Sequence, residues 1–474
     1  MSKKIVIVGA GFCGTLAAIH LLKSKSNSAL QIMLIDRDEA GRGIAYAAGE
    51  KTHLLNVPAG SMSAFANDPE HFLRFAKSSD ATAASADFLP RYVYGDYLQS
   101  LLRESIAEKN SNIEFSIVQG SVIDVHEREG LLHVELSDGQ IVDADKVLLA
   151  TGNTIPTDPS GLDAEFFRSS KRYIRDPWAL QILDSIDRQQ PMLLIGAGLT
   201  AVDVALSLGA KNFNQPIFAL SRRGLTPLAH RGLSQEPHDV TLPASLFKSE
   251  LQISAVLRQL RVLAKTAVVD GSNWRSLIGA LRPHTPTMWQ EKISDSERRR
   301  FLRHCLIYWD VHRHRLAPPV AASLQDLLLT KQLTINAGRL SHLYENESEG
   351  AVNVSWRVRG RSEVITTRVG TVINCTGPSN NLKHSTNPLL TALLQRGAIS
   401  QDILQLGINV NDNYAVISAN GNASTNIFYV GPFLKAKYWE ATAVPELRAH
   451  VEKAVRHLLD SFDLSDSLDI IAAQ

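Results

Sequence analysis

Cysteine is scarce in this 474-residue chain: Cys13, Cys305 and Cys375 are the three, and no two stand in a Cys-x-x-Cys spacing. That removes the redox-active thiol pair on which flavin disulfide reductases depend, and with it any zinc or disulfide framework. A charge excess is missing too. The 49 Lys+Arg face 48 Asp+Glu, so there is no electrostatic case for nucleic acid or an anionic membrane. No run of 18 apolar residues occurs, so no transmembrane helix is expected. Met1-Ser2-Lys3-Lys4 leads straight into an apolar run that carries a glycine motif, which does not read as a signal peptide. These absences leave a cytoplasmic enzyme with no resident metal as the simplest expectation, its partners small molecules; a homo-oligomer stays open.

What is present is a 44% hydrophobic chain long enough for about three units of ordinary size. It carries the same kind of turn twice. Val6-Ile7-Val8-Gly9-Ala10-Gly11-Phe12-Cys13-Gly14 and Leu193-Leu194-Ile195-Gly196-Ala197-Gly198-Leu199-Thr200-Ala201 each follow a β-branched or aliphatic run and open an apolar helix pattern. In a Gly-x-Gly-x-x-Gly/Ala turn the first glycine makes the bend. The second lets a pyrophosphate approach, and the third position lets helix and strand pack. The helix N-terminus then faces the anion. Two such turns predict two dinucleotides.

The residues at the end of each second strand make the two sites unequal. After Gln31-Ile32-Met33-Leu34-Ile35 comes Asp36, whose carboxylate accepts from a ribose 2′-OH and repels a 2′-phosphate, which suits FAD or NAD. After Pro216-Ile217-Phe218-Ala219-Leu220 come Ser221, Arg222 and Arg223, with no acid. Guanidiniums and a hydroxyl there suit the 2′-phosphate of NADPH, with NADH as the second choice.

Downstream of each turn lies a strand-rich stretch closing on a Thr-Gly pair. Residues 113–150 read as a β-meander that ends at Thr151-Gly152. Val352 to Val358 and Glu363 to Arg368 read as strands before Thr376-Gly377. The fold class that follows is α/β, with two Rossmann-like dinucleotide-binding domains, each with a β-meander, plus a helical insertion. The FAD-binding domain is expected at 1–188 and 372–474. The NADPH-binding domain is expected at 189–371, with the insertion at about 225–330. Residues 427–432 read as a last strand into Gly431-Pro432. Thr442 is then the expected N-cap of a C-terminal helix running to about Leu459, with Ala443 beside it and Pro445 in the first turn.

The combination of these turns and closures resembles flavoproteins with two dinucleotide-binding domains. More narrowly, Gly41 to Tyr46, His53 to Met62, Leu220 to Pro227, Trp309 to Pro319 and Trp439 to Arg448 resemble bacterial FAD/NAD(P)-binding proteins related to the flavin N-hydroxylating monooxygenases, a group that includes a urate hydroxylase and an aspartate N-hydroxylase. The resemblance implies FAD at Gly9, Gly11, Gly14, Asp36, Arg37, Thr151, Gly152, Gly431, Thr442 and Ala443. It implies NADPH at Gly196, Gly198, Thr200, Ala201, Ser221, Arg222, Arg223, Thr376 and Gly377. It also implies the reaction: NADPH reduces FAD, O2 adds as a flavin C4a-hydroperoxide, and one oxygen passes to a small polar nitrogen-containing metabolite, either on a urate-type ring or on an amine. The alternatives are an NAD(P)H:acceptor oxidoreductase without oxygen insertion and a non-catalytic redox sensor. One departure from the wider fold is Gly431-Pro432 where many flavoproteins have Gly-Asp, which removes a charged contact to the flavin's ribityl chain.

Two groups of side chains are candidates for the chemistry. His53 and Asn56, in a Pro- and Gly-rich loop, are candidates for hydrogen bonds to flavin or nicotinamide, against an ordinary loop histidine satisfied by backbone. His312, Arg313 and Arg315, preceded by Arg299, Arg300, Arg303 and His304, form the densest cationic run. They suit capture of an anionic substrate or a phosphate, against a solvated basic face.

Overall fold

The computed structural model describes residues 2–25, 28–47, 50–179, 182–184, 186–231, 240–248, 250–269 and 273–472, with only the backbone beyond Phe462. Three stretches of the expected insertion, 232–239, residue 249 and 270–272, therefore lie outside the described residues. The chain divides into two compact units, one built from 1–49, 57–154 and 380–474, the other from 50–56 and 155–379. Among the described residues no helix is long and apolar enough to cross a membrane.

The first unit is layered around a six-stranded sheet. In spatial order its strands are Ala415–Ile417, Ala423–Tyr429, Lys146–Leu149, Lys3–Val8, Leu30–Asp36 and Ile113–Gln119. All pairs are parallel except the first. Parallel strands covered on both faces read as continuous apolar runs, and in the central strand Ile5, Val6 and Ile7 are fully buried. Helix Phe12–Leu22 crosses over the sheet, and its Leu16, Ala17, Ala18 and Ile19 are likewise fully buried. A separate antiparallel sheet joins Val122–Arg128, Leu131–Leu136 and Ile141–Ala144. The expected meander over 113–150 is thus smaller than the sequence suggests. Its first and last strands belong to the parallel sheet, pairing with Leu30–Asp36 and Lys3–Val8.

The second unit holds a seven-stranded sheet in the order Val364–Val369, Ala351–Val358, Leu333–Asn346, Ile217–Ser221, Met192–Ile195, Thr371–Asn374 and Tyr173–Ile174. Leu333–Asn346 serves two roles. Its start pairs parallel with Ile217–Ser221, and its remainder pairs antiparallel with Ala351–Val358. The expected boundaries at 188/189 and 371/372 shift for a physical reason. Tyr173–Ile174 and Thr371–Asn374 complete this second sheet, so 155–188 and 372–379 fold with the second unit. Helices Ile253–Val269, Trp274–Leu281, Asp295–His304, Leu306–Arg313 and Pro318–Leu329 make the insertion. It has its own core, in which Leu246, Leu251, Ile253, Leu281, Met288 and Cys305 pack together.

Candidate functional site

In the first unit the glycine turn is built as the sequence requires. Gly9 has φ +103°, and a Cβ there would lie 2.6 Å from the Ala150 carbonyl oxygen, so only glycine fits. A Cβ on Gly14 would sit 1.7 Å from the Gly9 oxygen, which is the close strand–helix approach. Gly11 differs: its Cβ would meet only Gly43 Cα, at 3.7 Å, and otherwise face open space. The helix from Phe12 has no side-chain cap. Its leading amides are therefore free for an anion.

Asp36 closes this turn from the side. One carboxylate oxygen accepts from the Ala10 amide and the other from the Asp38 amide at 3.1 Å. Gly41 N–H donates to the Ala10 carbonyl at 2.9 Å. Each carboxylate oxygen keeps a second lone pair for a ribose hydroxyl. The Arg37 side chain is 63% exposed and pairs with Asp38 at 3.0 Å.

The same carboxyl end of the sheet brings Thr151, Gly152 and Gly431 together. Tyr429 Oη donates to the Thr151 carbonyl at 3.2 Å and accepts from the Phe433 amide at 3.1 Å, which pins the Gly431-Pro432 turn beside Thr151. A Cβ on Gly431 would lie 2.6 Å from that hydroxyl. Among the described residues the buried Thr151 Oγ1 has no hydrogen-bond partner, and a Cβ on Gly152 would meet nothing within 4 Å. A polar atom without a partner beside an open glycine fits a bound dinucleotide. The C-terminal helix is Val444–Ala472, longer than expected. Its first turn is bridged by Leu447 N–H to the Ala443 carbonyl at 2.9 Å, so Ala443 rather than Thr442 occupies the cap position. Pro445 sits in the first turn, where its missing N–H is harmless.

The second turn repeats the first. Gly196 has φ +117°, and its Cβ would lie 2.4 Å from the Cys375 carbonyl oxygen. Gly198 and Gly377 have nothing within 4 Å of a Cβ position. Helix Leu199–Ala210 also starts without a side-chain cap, leaving the amides around Thr200 and Ala201 available. Thr376 Oγ1 donates to Asn374 Oδ1 at 2.7 Å, which fixes the Thr-Gly closure. At the strand end Ser221 Oγ accepts from Gly224 N–H at 3.0 Å. Arg223 is held by Tyr308, with Nη1 3.1 Å from its hydroxyl and the guanidinium 5.1 Å from the ring centroid. Arg222 is exposed and has no ion pair among the described residues.

His53 and Asn56 are placed in the second unit, where His53 packs against helix Leu199–Ala210. It is 4% exposed, its Nε2 lies 2.7 Å from Ser207 Oγ, and Ser207 donates to Glu50 at 2.5 Å. Its ring edge meets Trp178 at 5.6 Å. These contacts hold the loop onto the third turn of the helix. Asn56 offers its carbonyl oxygen to His230 Nε2 at 2.9 Å. Burial, then the positive charge of Arg315, pushes His230 down to about 4, so it is a neutral donor at pH 7.

The cationic run divides. Arg299, Arg300, Arg303 and His304 are exposed, and Arg300 pairs with Glu297 at 2.5 Å. His312 Nδ1 lies 2.7 Å from the Tyr308 carbonyl, and its ring edge meets Trp274 at 4.8 Å. Arg313, 7% exposed, and Arg315 face inward instead. They gather with Arg231, Arg275 and Arg282, which the linear run does not include. The remaining sequence signal was the Trp274-Arg275 pair, too short to distinguish from a surface dipeptide.

With this geometry in place, residues 6–154 match a family model described as FAD-NAD(P)-binding. That stretch holds the first glycine turn, Asp36 and the Thr151-Gly152 closure. No curated protein sequence matches the chain. Solved structures match its fold over nearly its whole length. The ornithine N-hydroxylase of Kutzneria sp. 744, described with reduced FAD, NADP+ and L-ornithine, superposes with a TM-score of 0.62 at 13% identity, covering 97% of this chain and 99% of its own. The reduced ornithine hydroxylase of Pseudomonas aeruginosa gives 0.63 at 13% identity, covering 98% and 100%. A bacillithiol disulfide reductase of Staphylococcus aureus gives 0.54 at 12%, covering 97% and 99%. The chain shares the architecture of two-dinucleotide flavoproteins.

Proposed function

We propose that this protein is an FAD-dependent, NADPH-using monooxygenase that hydroxylates a small, polar, nitrogen-containing metabolite. The observation that carries this reading is the asymmetry of the two nucleotide turns. Asp36 stands at the first, and the exposed guanidinium of Arg222 stands at the second. In the first unit the amides from Phe12 onward would hold the FAD pyrophosphate, Asp36 the ribose, and Thr151 Oγ1 a further polar group of the flavin nucleotide. In the second unit the helix from Leu199 would hold the NADPH pyrophosphate. Arg222 and Ser221 would take the 2′-phosphate. When bound, FAD supplies hydride acceptance from NADPH and oxygen activation, one oxygen atom entering the substrate and the other leaving as water.

A reductase that passes electrons to an acceptor is the second reading, favoured by the fold shared with a bacillithiol disulfide reductase. The thiols speak against disulfide chemistry. All three cysteines are buried; burial pushes the Cys13 thiol up to about 12 and raises Cys305 and Cys375 as well. A reactive cysteine needs the opposite shift. The fold shared with the two ornithine hydroxylases supports oxygen transfer to nitrogen. The deciding experiment measures oxygen and NADPH consumption by FAD-loaded protein across a panel of amines, amino acids and purines. Equimolar uptake with a hydroxylated product is expected for one class. Turnover that continues without oxygen when a quinone is supplied would refute the proposal.

A further inference from the structure

Five arginines of the second unit, Arg231, Arg275, Arg282, Arg313 and Arg315, sit within each other's fields. The effect is registered at Arg315. Burial, then the like charges of Arg313, Arg275, Arg231 and Arg282, pushes its guanidinium down to about 10. Arg275 is lowered too, by burial and by Arg231. Arg231, Arg275 and Arg315 have no carboxylate partner among the described residues, and the contacts they do make are neutral. Arg231 Nη2 donates to Ser276 Oγ at 3.2 Å, and Arg275 Nε donates to the Ala229 carbonyl at 3.0 Å. The Trp274 ring lies 4.4 Å from the Arg275 guanidinium and 6.0 Å from that of Arg315. The Nε atoms of Arg231 and Arg315 are buried with no acceptor among the described residues. The stretches outside the described residues on either side, 232–239 and 270–272, hold by sequence the carboxylates Glu236, Asp239 and Asp270.

Partly buried like charges oppose folding, and donors buried without acceptors add to the opposition. Such a cluster has a use only if an anion completes it. We infer that this cluster is the acid-recognition subsite for the substrate. The molecule hydroxylated carries at least two acid groups, held by Arg231, Arg275 and Arg315 beside Trp274. The inference rests on the hydroxylase reading above and narrows its substrate class. It also separates this chain from the fold neighbours named for ornithine, whose side-chain ammonium would be repelled by these guanidiniums.

The test is equilibrium binding to the full-length, FAD-loaded protein by calorimetry and thermal shift. The probes are succinate, aspartate, inorganic phosphate, cadaverine and 2′,5′-ADP. Saturable binding of at least one dianion is expected, with none for cadaverine, and succinate against phosphate identifies the acid. Arg315→Gln and Arg275→Gln should each weaken the bound acid about tenfold or more, the loss of one charge-assisted contact. Both should leave 2′,5′-ADP within about twofold, and both should melt no lower than the parent once unliganded, because like charge has been removed. Acid binding no stronger than a sodium chloride control would overturn the inference. So would a parallel loss of 2′,5′-ADP, which would assign the cluster to the nucleotide, or lower melting with acid binding unchanged. If the variants do not fold, the succinate–cadaverine contrast on the parent protein decides. Binding requires neither oxygen nor NADPH, so failure of the hydroxylase reading would show separately, as bound acid without oxygen uptake.

Discussion

Replacing Arg222 by alanine tests the assignment of the second nucleotide most directly. Arg222 is exposed at the end of strand Ile217–Ser221, and no ion pair among the described residues holds it. Arg223 is partly engaged, stacked on Tyr308 with one Nη hydrogen-bonded to its hydroxyl. The two arginines should therefore contribute unequally to a 2′-phosphate. A hydrogen bond to a charged group is worth about 1.5–3 kcal/mol when well formed. Exposure and salt screening place Arg222 at the lower end, about 1.5 kcal/mol, or roughly tenfold in Kd. Arg222→Ala should raise the NADPH dissociation constant by about that factor and leave NADH within about twofold. Arg223→Ala should do less to NADPH, because part of what it removes is a protein–protein contact. Stopped-flow titration at two salt concentrations measures both, and the Arg222 effect should shrink at high salt. Equal losses for NADPH and NADH, or no loss in either, would refute the 2′-phosphate assignment.

Three further predictions concern the rest of the molecule. Gly11→Ala should fold and lose FAD, because the only protein atom near its Cβ is Gly43 Cα at 3.7 Å; Gly14→Ala, with its Cβ 1.7 Å from the Gly9 oxygen, should fail to fold. The ratio of flavin to protein absorbance after purification separates these, and a yellow Gly11→Ala protein would contradict the site. His53→Ala should lower the melting temperature by a few degrees, since it leaves Ser207 and Glu50 without their buried partner, while the turnover rate at saturating substrate changes little. A large fall in turnover with an unchanged melting curve would return His53 to the chemistry. Acid should destabilise both units. Burial lowers His230 and His450 to about 4 in the fold, with nearby Arg315 and Lys453 adding to the respective shifts. The unfolded chain takes up these protons near pH 6.5. The stability from keeping them neutral is complete above that pH and is lost as pH falls from about 6.5 to about 4, on the order of 3 kcal/mol per histidine. Denaturant melts at pH 7 and pH 5 should show the drop, and His230→Asn and His450→Asn should each reduce it.

Both glycine turns were legible in the sequence because backbone sterics act over a few residues. A positive φ at Gly9 and Gly196, each followed by an uncapped helix, needs no tertiary knowledge to foresee. The strand-end residues Asp36 and Arg222 were legible for the same reason, since a parallel strand of known length puts the next residue at the nucleotide. Neither the sheet membership of Tyr173–Ile174 nor the split of the 113–150 stretch between two sheets was legible. Pairing partners more than eighty residues apart are chosen by packing rather than by local pattern. The same limit governed the side chains. A run such as Asp310 to Arg315 shows charge but not direction. Folding turned Arg313 and Arg315 inward onto Arg231 and Arg275, and it left Arg299 and Arg300 in water. The sequence alone determined the two glycine turns and the residues that stand at their strand ends. Only the tertiary structure decided which arginines meet, because helix packing sets side-chain direction and the chain's linear order does not.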